Sequence, residues 1–65
     1  MSLHTKIREL RLRDRLSQEE LAQRVGVRRE TIGNLENGKY NPSLKLAMDI
    51  AQVFGCTVED LFTFT

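Results

Sequence analysis

Between residues 28 and 34 the chain carries Arg28, Arg29, Glu30, Thr31 and Asn34. The donors and acceptors of this set match the edges of nucleic-acid bases. An arginine can bond guanine O6 and N7 bidentately, an asparagine can bond adenine N6 and N7, and a glutamate accepts from cytosine N4; a threonine serves either way. On either side stand groups that suit phosphate oxygens instead: the amide of Gln18 upstream, and backbone N–H groups with a cation at Asn37, Gly38 and Lys39 downstream. Enzyme chemistry has no comparable support. There is no nucleophile–base pair, metal cluster or phosphate-cradling loop. His4 is the one histidine and Cys56 the one cysteine, which excludes an internal disulfide and a multi-cysteine zinc site. No catalytic residue, metal, cofactor or small-molecule ligand is expected.

Base-reading side chains need a rigid element to carry them, and the pattern supplies helices. The spacing predicts an all-α fold of five. A first helix over 4–15 sets Ile7, Leu10 and Arg11 on one stripe. Ser17 followed three positions later by Glu20 is a capping box that starts a second helix, with Leu21, Ala22 and Val25 inward. Gly26 ends it, since the residue past a helix often needs positive φ. A third helix begins around Arg28, buries Ile32 and Leu35, and stops at Asn37-Gly38. Ser43 opens a fourth, with Leu46, Ala47, Ile50, Ala51 and Phe54 inward and Gly55 as its end. Thr57 and Asp60 cap a short fifth carrying Val58, Leu61 and Phe62. No strand is expected: residues 61–65 are β-prone, but the run is short.

The unit at 17–36 is thus two short helices joined at a glycine turn, the helix-turn-helix pattern. In it the second helix lies in the major groove and the first crosses the backbone. The polar cluster sits toward the N-terminal end of the second helix, the end that probes bases. Gly33 costs up to about 1 kcal/mol relative to alanine there. Either its missing side chain admits a close approach, by DNA backbone or another helix, or it is a tolerated surface glycine.

The 65 residues make one small domain, 1–65, which buries only about 60% of the surface of its unfolded chain. Added burial from a second subunit would stabilise it. Phe62 and Phe64, placed near the end of so small a chain, are expected to help form a homodimer interface. Net charge is only +1, but residues 1–40 carry nine Lys/Arg against six Asp/Glu, while residues 41–65 carry one against three. A positive front and a negative back orient a domain on a polyanion, or are merely uneven surface charge. Apolar runs are too short for a membrane span. With no charged-then-apolar leader and one cysteine, the expected compartment is the cytoplasm. Cys56 reads as a small buried hydrophobe, and Tyr40 as cover for a loop.

The run L-S-Q-E-E-L-A-Q-R-V-G-V-R-R-E-T-I-G-N-L-E-N-G-K resembles the Cro/repressor-type, or Xre, helix-turn-helix family, and the likeness extends over roughly residues 5–62. The resemblance implies a compact five-helix DNA-binding domain that works as a dimer on palindromic double-stranded operators, commonly as a repressor. It implies a phosphate-clamping role for Gln18 and base reading by Arg29, Glu30 and Asn34, with Arg28 at the helix entrance. It also implies an ion pair between Arg11 and Glu36. A charge at Arg11, on the apolar stripe of the first helix, independently calls for a partner. The chain departs from the family at Arg28, where a capping Ser or Thr is usual. A partner-dependent antitoxin or protein-binding module would use the same scaffold, because a fold does not fix a function.

Overall fold

The computed structural model describes residues 3–64. Three hydroxyls start three of its helices. Ser17 Oγ accepts from the Glu20 N–H at 3.0 Å while the Glu20 carboxylate accepts from the Ser17 N–H at 3.0 Å, opening α2 (Gln18–Val25). Ser43 Oγ accepts from Leu46 N at 3.1 Å to open α4 (Leu44–Phe54), and Thr57 Oγ1 accepts from Asp60 N at 3.1 Å to open α5 (Val58–Leu61). Each satisfies a backbone donor that the helix itself cannot. α2 and α4 end on glycines, Gly26 and Gly55, in the left-handed region. There the next residue folds back, Val27 N onto Ala22 O and Cys56 N onto Ala51 O, both at 3.0 Å.

The remaining helices are α1 (Ile7–Arg13) and α3 (Arg29–Glu36). All five converge on one core. Ile7, Leu21, Ile32, Leu35, Ile50 and Leu61 are fully buried and come from all five helices. Ala22 lies in the same cluster, on the helix that packs against both α3 and α4. Cys56 is half-buried against this core. Tyr40 is exposed.

The five helices stand as expected, and a small sheet adds to them. β1 (Leu3–Thr5) pairs antiparallel with β2 (Phe62–Phe64), Leu3 opposite Phe64 and Thr5 opposite Phe62. The first helix therefore begins at Ile7, not at residue 4. Lys6 N donates to Leu61 O at 3.0 Å, prolonging the pairing, and Thr5 Oγ1 takes the Ile7 N–H at 3.0 Å. Those two bonds keep the chain out of the helix until Ile7, with the strand ending at Thr5. The helical stripe never extended that far back, since its first apolar member is Ile7. α1 stops at Arg13, and Arg15, at φ 57°, turns the chain toward α2.

Candidate nucleic-acid interface

α3 is anchored by its inner face, where Ile32 and Leu35 have no exposure. Its other face is open. Arg28, Arg29, Glu30 and Asn34 are exposed and Thr31 is half-buried. Among the described residues the ion pairs are Arg11–Glu36, Arg13–Asp14 and Lys45–Asp49, so Arg28, Arg29 and Lys39 keep their charges available. Arg28 stands at the N-cap with extended backbone and makes no side-chain cap bond. An arginine carries donors only, so it leaves the first N–H groups of α3 uncapped.

The C-terminal end of α3 is different. Asn37 N donates to Gly33 O at 3.1 Å, Gly38 N to Leu35 O at 3.1 Å and Lys39 N to Asn34 O at 2.9 Å. These three backbone N–H groups close the helix, so phosphate contact through them is not on offer. What Asn37 and Lys39 present outward are their exposed side chains. Gly38 has φ 70° and packs so tightly on β1 that a Cβ there would lie 2.7 Å from the Leu3 carbonyl oxygen.

Beneath the α2–α3 corner lies a charged network. Arg11 of α1 donates through Nε to Glu36 Oε2 at 2.8 Å and through Nη2 to Glu36 Oε1 at 3.3 Å. Its Nη1 donates to the Leu16 carbonyl at 2.9 Å. The pair is largely dry, with side chains 11% and 5% exposed. Gln18, the first residue of α2, joins it: Nε2 donates to Glu36 Oε1 at 3.2 Å. Sequence reasoning placed Gln18 at a phosphate and Glu36 opposite Arg11 without linking the two. Gly33 lies beside this contact, but a Cβ there would sit 3.8 Å from Gln18 Nε2, an ordinary van der Waals distance, so the contact does not require a glycine.

Arg13 is engaged elsewhere, bonding the Asp14 carboxylate at 2.8 and 3.0 Å and reaching the Phe54 carbonyl at 3.3 Å. Its hydrogen bonds hold the Asp14 carboxyl below the usual carboxylate range, and the same bonds raise Arg13. Glu20 is also lowered, first by the Ser17 backbone N–H and then by the Ser17 hydroxyl. Of the two phenylalanines, Phe62 packs half-buried against the core, whereas Phe64 is 58% exposed. Both line an open apolar groove with Leu3, Pro42, Leu44 and Val58. No helix among the described residues is long and apolar enough to cross a membrane.

The sequence profile of the helix-turn-helix family matches residues 7–61. An uncharacterized HTH-type transcriptional regulator of Archaeoglobus fulgidus is 61% identical over 62 residues, spanning 95% of this chain and 87% of that one. The solved restriction-modification controller protein C.AhdI of Aeromonas hydrophila superposes with a TM-score of 0.77 at 34% identity, over 85% of this chain and 83% of its own. A solved structure of a protein from Bacteroides fragilis shares the fold alone, with a TM-score of 0.81 at 20% identity over 94% and 98% of the two chains. The family and the Archaeoglobus relative are regulators of transcription rather than enzymes. An anchored helix with a free polar face, on a scaffold shared along nearly its whole length, makes this chain a member of the Xre-type helix-turn-helix family of DNA-binding transcriptional regulators.

Proposed function

We propose that α3 enters the major groove of a palindromic operator and that a homodimer of this protein represses transcription by occupying that operator. The observation that carries the reading is the free face of α3: Arg28, Arg29, Glu30, Thr31 and Asn34 stand on a helix whose opposite side is locked into the core. Arg29 reads guanine, Asn34 reads adenine, and Glu30 takes a cytosine amino group. Arg28, Thr31, Asn37 and Lys39 serve at the margins, the cations meeting phosphates. Gln18 clamps a phosphate. One of its two amide protons goes to Glu36, which leaves the other for the backbone of the duplex. Repression needs only tight occupancy of the operator, and the compartment proposed for this work is the cytoplasm.

Dimerisation rests on a second observation. Leu44, Met48 and Phe64 are large apolar side chains at least half exposed, and Phe64 borders the groove it shares with Phe62. A second copy seated there removes them from water, and a two-fold dimer matches a two-fold operator. Selection from a random duplex library with the purified protein tests the whole reading. The expected product is an inverted repeat whose half-sites lie about one helical turn apart. A library without an enriched site counts against it and in favour of a partner-dependent antitoxin or protein-binding module. Sedimentation that finds only monomer at high micromolar concentration removes the dimer.

A further inference from the structure

The geometry points to Glu36 as a positioning residue for DNA binding, one that acts through the amide of Gln18. The inference rests on the phosphate role proposed for Gln18. A glutamine amide has two faces of opposite character: Nε2 carries two donors and Oε1 only accepts. A phosphate rewards the first and repels the second. In water the amide would rotate and flip between them. Here the carboxylate of Glu36, which can only accept, holds Nε2 at 3.2 Å and so decides which way the amide faces. Gly33 lies one turn before Glu36 on the same face of α3, and even a Cβ there would meet that nitrogen only in ordinary van der Waals contact, at 3.8 Å. The amide is therefore held by a side chain of α3 while its backbone belongs to α2.

A carboxylate so near a phosphate path would by itself oppose binding. Arg11 removes that penalty, with two bonds to the two oxygens of Glu36. It is itself held by the Leu16 carbonyl, just before α2 begins. The three side chains thus deliver a single oriented N–H in place of a negative charge. Glu36 touches no DNA in this scheme; its contribution is pre-ordering, so that binding does not have to restrict Gln18.

The test is a double-mutant cycle read on affinity for a fluorescein-labelled duplex of mixed sequence, since a phosphate contact acts on every sequence alike. Removing Glu36 alone strands Arg11, so the acceptor is removed with its partner, as Arg11→Met with Glu36→Leu, a replacement that tends to keep a fold. Gln18→Ala is made in the native protein and in that background, each checked for folding by circular dichroism. We expect the paired replacement to weaken binding about three- to tenfold, as for one released side chain. Gln18→Ala should then weaken the native protein but add little in the replaced background. Equal losses in both backgrounds overturn the positioning role while leaving Gln18 as a phosphate contact. No loss from Gln18→Ala in either background overturns the phosphate role, and the inference falls with it. If the paired replacement does not fold, Arg11→Leu with Glu36→Met, which likewise removes the acceptor together with its cation, takes its place in the cycle, with the same outcomes.

Discussion

Glu36→Ala removes the acceptor of three hydrogen bonds, two from Arg11 and one from Gln18, at 2.8, 3.3 and 3.2 Å. What remains is a guanidinium 11% exposed, keeping only its bond to the Leu16 carbonyl. Breaking a buried pair by deleting one partner costs about 3–5 kcal/mol, most of it the uncompensated charge left behind. Arg11 retains some solvent and one acceptor, so the lower end applies, about 3 kcal/mol. For a domain of this size each kcal/mol moves the thermal midpoint by about 4–8 °C, which gives a fall of roughly 12–24 °C. The whole domain is stable by only about 3–10 kcal/mol, so urea unfolding, with an osmolyte added to restore the folded baseline, is the assay of choice. Arg11→Met with Glu36→Leu should lose far less than Glu36→Ala, because no charge is orphaned. A loss under about 1 kcal/mol, as for an exposed ion pair, refutes the reasoning, as does a paired replacement no better than the single one.

Arg29→Ala should cost about 1–3 kcal/mol on the selected operator and relax preference at one base position; uniform weakening on every sequence counts against base reading. Gly38→Ala should destabilise by about 2 kcal/mol or more, combining a left-handed φ with a Cβ pressed on the Leu3 carbonyl, and urea midpoints equal to the parent's would contradict this. Glu20 should titrate below an ordinary glutamate when its carboxyl carbon is followed by NMR. Its folded value is depressed, so the capping box contributes stability above the ordinary glutamate range and loses it as pH falls through the folded value. A midpoint at or above that of a free glutamate would contradict the capping geometry.

Most of the helical frame was legible because its determinants are local. Ser17 with Glu20, Ser43, and Thr57 with Asp60 state where helices start, and Gly26 and Gly55 state where two of them end. Periodicity marks Leu21, Ile32, Leu35, Ile50 and Leu61 as inward, and all five are buried. The strands were not legible for the opposite reason. Leu3–Thr5 and Phe62–Phe64 are three residues each, too short to show alternation, and each makes sense only beside the other. At the candidate site, residue type and position suggested a polar contact for Gln18 and for Arg11, and the family resemblance paired Arg11 with Glu36. That one carboxylate serves both of the others depends on how α1, α2 and α3 meet, which no spacing along the chain encodes.

The strand pair also sets the order in which this molecule can assemble. Helix turns and the α2–α3 corner join residues close in sequence, and such contacts form quickly. Pairing Leu3 with Phe64 closes a loop that contains nearly everything else, and its entropic cost is met most cheaply once the helices have already drawn the ends together. The sheet is then expected to be the last element to zip and the first to fray. Because Gly38 packs against the Leu3 carbonyl, fraying there should loosen the C-terminal end of α3 while its core residues are still buried. Slow amide exchange in α3 but fast exchange in β1 and β2 would be the signature of that sequence of events.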